Sequence, residues 1–229
     1  MKKKILTALA TLTYCITTAQ FEVHRIELTS PGALFRNPDY NNLNLKKIEG
    51  SPYLDDNFVL AEISGVPEKI LIRYNILNDI IEVQFDNLKN YNLTKSDPYL
   101  TITPIGKANK IKLLRYIRNE VEIFGYLTQI LETKEIEVYK KNQVKLQNAK
   151  EPTSSYQETS PAKFIKLKPE YYWKLSNKKI TQISKHKKGI LELFPDKKEA
   201  INIYFKNNRI DFDDESSIIE LSKFIQTLQ

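Results

Sequence analysis

Apolar residues recur at every second position through much of the first two thirds of the chain, the spacing that turns one side of a β-strand toward a core and the other toward water. Phe21 to Leu28, Phe58 to Ile63 and Lys69 to Leu77 read as strands in this way, the second of them following the turn-rich Gly50-Ser51-Pro52-Tyr53-Leu54-Asp55-Asp56-Asn57. Asn78-Asp79 tolerate positive φ and lie between two apolar runs, so 70–85 reads as a tight hairpin. Asp86 to Ser96, rich in Asn and Lys, reads as a loop. Tyr99 to Ile105, Ile111 to Ile117, Val121 to Leu131 and Glu135 to Leu146 resume the alternation with Lys, Glu and Arg between the apolar positions, the pattern of an antiparallel sheet with one wet face. Glu120 to Glu132 has the charge content of a helix, but Tyr126, Thr128 and the β-branched neighbours favour a strand.

The pattern breaks at Gln147 to Ala162, where Asn, Pro, Thr, Ser and Glu replace apolar residues and Pro152 and Pro161 act as breakers. Short strands follow at Lys163 to Leu167, Tyr171 to Leu175 and Lys178 to Ile183, the last two joined across Ser176-Asn177. From Ser184 the apolar period lengthens to about 3.6 residues. Ser184 is placed to cap a helix to Phe194, Pro195-Asp196 opens a second to about Asn207, and Asp213 caps a third with Ile218, Leu221, Phe224, Ile225 and Leu228 as its apolar stripe. The expectation is an α+β protein. A signal peptide at 1–19 precedes an antiparallel β-meander or partly open barrel at 20–146 and a loop or linker at 147–162, and 163–229 supply short strands and a three-helix piece. A helical C-terminus in place of a closing strand argues against an outer-membrane barrel.

The first twenty residues stand apart. Lys2, Lys3 and Lys4 precede an apolar run from Ile5 to Ile16, and Thr17-Thr18-Ala19 puts small residues before Gln20, which is the pattern of an export signal cleaved near Ala19/Gln20. The run is too short, and too often interrupted by threonine, for a membrane span. Tyr14 stands before Cys15, where lipidation needs a small residue. Cleavage would remove Cys15, the chain's one cysteine, and with it disulfides and thiol chemistry. It would also take three of 35 basic side chains, leaving 32 against 28 acidic ones, a net charge of +4 instead of +7. So modest a surplus in an exported chain gives little reason to expect nucleic acid as a partner.

Candidate chemistry is sparse. His24 and His186 are the only imidazoles and lie at opposite ends of the chain, which leaves no local metal site or triad. Six glycines leave few places for a phosphate-cradling loop, and no cofactor is expected. Asp55 and Asp56 with Arg73 are the candidates for a hydrolytic site, where carboxylates would need a concave pocket and displaced pKa values. Asp211, Asp213, Asp214 and Glu215 lack the spacing of a calcium loop and suit helix capping, so no metal is assigned. Tyr171, Tyr172 and Trp173 are the candidates for a binding surface; alternation sends Tyr172 one way and its two neighbours the other, which assigns half of them to the core.

The Ala19-Gln20 junction, Gly50 to Asn57, Arg73-Tyr74-Asn75, and the run from Pro161-Ala162-Lys163-Phe164 through Tyr171-Tyr172 to Leu193-Phe194-Pro195-Asp196 resemble uncharacterised secreted or periplasmic proteins of the Bacteroidota. The resemblance implies a periplasmic, outer-membrane-peripheral or extracellular location and carries no active-site residues. With it, the expected function is a non-catalytic envelope protein that binds a protein or glycan through a sheet face or edge. The alternatives are a hydrolase using the carboxylates above and a lipocalin-like carrier closed around an apolar ligand.

Overall fold

A computed structural model describes residues 28–29, 48–85, 90–149, 160–176 and 178–228. The leader, its cleavage junction, most of the first expected strand and most of the segment 147–162 lie outside the described residues. Among the described residues eleven strands form one mixed, mainly antiparallel sheet, and three α-helices follow, so the fold is α+β and mostly β. The strands are β1 (Leu28–Thr29), β2 (Val59–Ile63), β3 (Ile70–Asn75), β4 (Ile80–Gln84), β5 (Asn90–Leu93), β6 (Thr101–Pro104), β7 (Lys110–Arg118), β8 (Val121–Glu132), β9 (Ile136–Gln147), β10 (Lys163–Leu175) and β11 (Ile180–Gln182). The helices are α1 (Lys187–Leu193), α2 (Lys198–Asn207) and α3 (Glu215–Gln226). Among the described residues no helix is long and apolar enough to cross a membrane.

The sheet runs in the order β1-β5-β4-β3-β2-β6-β7-β11-β10-β9-β8, and β8 pairs back onto β7. The last five strands therefore close a ring. Each of them reverses direction on the one before, so a ring of odd number must close with one parallel pair, and β11 lies parallel to β7 through Ile180 opposite Tyr116. β8 occupies one edge of β7 along its whole length. The other edge is shared: β6 takes Ile111 and Lys112, while β11 takes Tyr116 and Ile117.

One side chain from each ring strand fills the interior: Tyr116, Leu127, Tyr139, Tyr172 and Ile180. Tyr116 and Tyr172 meet edge to face, with ring centroids 4.9 Å apart. Polar side chains on the same side of the strands, two or four positions away, are satisfied by each other. Glu137 accepts from Lys174 (2.5 Å), Gln129 (2.9 Å) and the Tyr139 hydroxyl. Glu170 accepts from Arg118 (2.7 Å) and the Tyr172 hydroxyl (2.8 Å). Burial works to raise the Glu137 carboxyl, but Lys174, Tyr139 and Lys112 outweigh it and hold it below its ordinary range.

The outer side of β9 and β10 carries the helices. Ile136, Val138, Tyr171 and Trp173 pack against Ile190, Ile201, Ile218, Leu221 and Ile225. The Trp173 indole N–H donates to Ser222 Oγ at 2.7 Å, and that hydroxyl donates to the Ile218 carbonyl at 2.6 Å. The other half of the sheet, β2 to β5, folds its apolar face over the outside of β7 and β8. Ile72, Tyr74, Ile81 and Val83 there meet Ile111, Leu113 and Tyr126.

Four local expectations change. Asn90–Leu93, read as loop, is a strand: Leu93 turns into the core, while Asn90 and Asn92 lie opposite Gln84 and Glu82, so polar residues pair across strands instead of facing water. β10 runs unbroken across Lys168-Pro169, because a bulge between Leu167 and Glu170 absorbs the proline. The first helix begins at Lys187, and Ser184 Oγ instead accepts the His186 N–H at 3.2 Å. Asp214, not Asp213, caps α3, accepting from the Ser217 N–H at 2.8 Å. The segment read as a linker joins β9 to β10, two strands paired from Gln147 opposite Lys163 to Ile136 opposite Leu175, so the sheet continues across the composition shift.

Candidate functional site

A cleft with a volume of about 280 Å³ opens where the folded-over half of the sheet meets the ring. Its apolar lining is mainly aliphatic, with Leu54, Val59, Ile72, Pro104 and Ile111 beside Tyr74. Asn57, Asn109 and Asn142 supply side-chain amides, each both donor and acceptor. Thr128 lines it too, 8 % exposed and with a hydroxyl that has no partner among the described residues.

The surrounding loops are held by the backbone. The Leu54 N–H donates to the Tyr74 carbonyl at 2.9 Å and the Ile76 N–H to the Pro52 carbonyl at 2.8 Å, so 52–54 run beside β3 before the chain bulges out through 55–58. On the opposite side the β6–β7 turn places Gly106 at φ +76°, in the left-handed region that glycine enters without strain. Asp55 bridges the two loops by pairing with Lys107 at 3.3 Å. Lys140 pairs with Glu215 at 2.8 Å and so joins the cleft wall to the start of α3.

Below the cleft, the β3–β4 hairpin tip carries Asp79 at φ +55° into a cage of donors. The Tyr74 hydroxyl donates to it at 2.6 Å, Lys95 at 2.6 Å, the Tyr126 N–H at 3.3 Å, and Lys141 also donates. Gly125 leaves the room: a Cβ there would stand 2.5 Å from Asp79 Oδ2. Burial works to raise the Asp79 carboxyl, but Lys141 and Lys95 outweigh it and hold it below the usual carboxylate range. Burial lowers the Lys141 ammonium against the pull of Asp79. Burial, aided by the Asp79 charge, pushes Tyr74 well above a normal phenol and Tyr116 up to about 12.

The sequence candidates fall differently. Asp55 and Arg73 both line the cleft, but Asp55 faces Lys107 and the Arg73 guanidinium is held elsewhere. It donates to Glu82 at 2.7 Å, lies over the Tyr53 and Phe58 rings at 3.7 and 4.5 Å, and reaches Asp56 only at the backbone carbonyl, 3.3 Å away. The three do not converge on one point where a substrate bond could sit. Tyr171, Tyr172 and Trp173 do split between two sides as alternation requires, but they are 3 %, 0 % and 1 % exposed. With Tyr172 inside the ring and Tyr171 and Trp173 beneath the helices, none of them offers a surface for stacking, which corrects their reading as binding residues.

The acidic cluster before α3 is taken up by the chain's own donors: Asp211 accepts from the Asp213 N–H, Asp213 from Lys168 and Lys185, Asp214 caps, and Glu215 holds Lys140. Among the described residues no group of His, Cys, Asp or Glu is arranged to hold a metal ion. Asn57, Asn109, Asn142 and the Asp79 cage were not singled out in the sequence. The turn signals at Gly50 to Asn57 and Asn78-Asp79 touched them without assigning a site, since Lys141 lies 62 residues from its partner. Comparison with family models, with curated proteins and with solved structures gives no match.

Proposed function

We propose that this is an exported, non-catalytic envelope protein that holds part of a protein partner in the cleft between the folded-over sheet and the ring. The observation that carries the reading is the cleft's make-up, a mainly aliphatic lining with three neutral amides. An apolar anchor in a small pocket with a hydrogen-bonding rim is how many interfaces concentrate their binding energy. The lining suits an aliphatic or aromatic side chain better than a sugar face, which usually finds an aromatic platform. The ions on the rim, Lys107 with Asp55 and Lys140 with Glu215, are already paired, which favours a neutral occupant.

Other modes of binding have less support. An apolar carrier needs a hollow barrel, and here side chains occupy the ring interior. Pairing with a partner strand needs an open edge, and the ring strands use theirs on one another. The first half of β10 carries Lys166, Lys168 and Pro169 along its run, residues that discourage edge pairing. For hydrolysis, a general acid would need a raised carboxyl. Asp79, Glu137 and Asp213 are displaced downward by their lysine neighbours, the reverse of that requirement.

The export signal and the likeness to secreted Bacteroidota proteins support the location. The test has two parts. Protein recovered from the periplasmic fraction of a Gram-negative host should begin at Gln20; a cytoplasmic product that keeps Met1 would contradict export. Immobilised protein should retain a component of envelope extract that the cleft-filling Asn109→Trp variant does not retain. Equal retention by both, or retention only of purified cell-wall polysaccharide, would contradict a protein held in the cleft.

A further inference from the structure

We infer that Asp79, acting through Tyr74, is the positioning residue of the cleft: its clasp on the ring holds Tyr74 in place as part of the cleft lining. The inference rests on reading the cleft as a binding site, but it concerns the geometry of that site and not its occupant.

Three observations lead to it. Tyr74 belongs to both places, since the residue lines the cleft while its hydroxyl is fixed between Asp79 Oδ1 (2.6 Å) and Lys141 Nζ (3.1 Å). The ring-side anchors are also neighbours of cleft residues. Lys141 stands between Lys140 and Asn142 on β9, and Tyr126 stands two positions before Thr128 on the same side of β8. Finally, the clasp adds a polar link between two bodies that otherwise meet through apolar packing, because Asp79 ends a hairpin whose strands pair with each other, with β2 and β5 and with Tyr53, whereas Lys141 and the Tyr126 main chain belong to the ring.

The cleft lies between those two bodies, so whatever fixes one against the other sets its width. Tyr74 meets Tyr126 edge to face with centroids 5.9 Å apart, so once its hydroxyl is released the ring is held by packing alone. Asp79 reaches its donors over Gly125, where any side chain would displace its carboxylate.

The test reads the cleft without a partner. Cys15 is the chain's one cysteine, so in full-length protein carrying Cys15→Ser, Thr128→Cys places a single near-isosteric thiol in the cleft. Ser222→Cys, in the buried core under α3, serves as a control for opening of the whole fold. Adding Asp79→Asn should raise the rate of Thr128→Cys modification by Ellman's reagent by about tenfold or more beyond any rise at Ser222→Cys, which reads only the loss of global stability. Tyr74→Phe keeps the ring, removes only its hydroxyl, and should reproduce the effect if Asp79→Asn fails to fold. Where both variants fold, combining them should add little to either alone, because they break one linkage. Unchanged Thr128→Cys labelling in folded variants, or equal acceleration at both thiols, would overturn the inference. Labelling answers this even if no partner is captured from envelope extract.

Discussion

Asp79 illustrates how much one residue can organise. Its position in a turn was legible, because Asn-Asp between two apolar runs calls for positive φ, and the structure finds φ +55° there. Its partners were not legible: Lys95, Tyr126 and Lys141 come together only when the hairpin folds over the ring. The displaced carboxyl has a consequence for acid stability. A carboxylate whose folded pKa lies below its unfolded value of about 3.9 stabilises the fold at neutral pH, and that contribution fades as pH falls below about 4 toward the lower folded value. Asp79→Asn should therefore melt at a lower temperature than wild type at pH 7, with the gap narrowing by pH 3. Calorimetry over that range checks it, and a gap that stays constant would mean that Asp79 is not held ionised by its lysines.

At the scale of elements, the strands from β2 to β4 and from β6 to β9 and the three helices were readable from periodicity, because apolar residues recur along each at the strand or helix spacing. β5 was missed for the opposite reason. Its Asn side chains pair with Gln84 and Glu82 across the sheet, so polarity there marks a ladder and not a loop. Ring closure was also invisible, since the pairing of β11 with β7 joins segments more than sixty residues apart through only two positions. The tyrosines show what alternation can and cannot say: it divided Tyr172 from Tyr171 and Trp173 correctly but did not reveal that both sides are covered. Because Tyr172 fills the ring interior, Tyr172→Ala should cost about 3–5 kcal/mol. Tyr172→Phe, which gives up only the bond to Glu170, should cost about 1 kcal/mol. Denaturant unfolding curves distinguish the two, and equal small losses would mean that the ring is not closed around Tyr172.

At the scale of the molecule, the proposed binding place is the join between the two halves of the sheet. Ring closure uses up most strand edges, side chains fill the ring, and the helices bury the aromatic cluster, while the join between the two halves of the sheet stays open as a cleft. The sequence pointed to this region through Asp55 and Arg73, though for hydrolysis, and the structure turns Arg73 toward Glu82 and Asp55 toward Lys107. The amides that line the cleft, Asn57, Asn109 and Asn142, come from three different segments and carry no local signature. The most direct test places a photo-crosslinking side chain at Asn109, inside the cleft, or at Ile203, exposed on α2, in protein produced in a Gram-negative cell envelope. A discrete protein adduct from position 109 and none from position 203 is the predicted result; an adduct from 203 alone, or the same adduct from both, would contradict a partner held in the cleft.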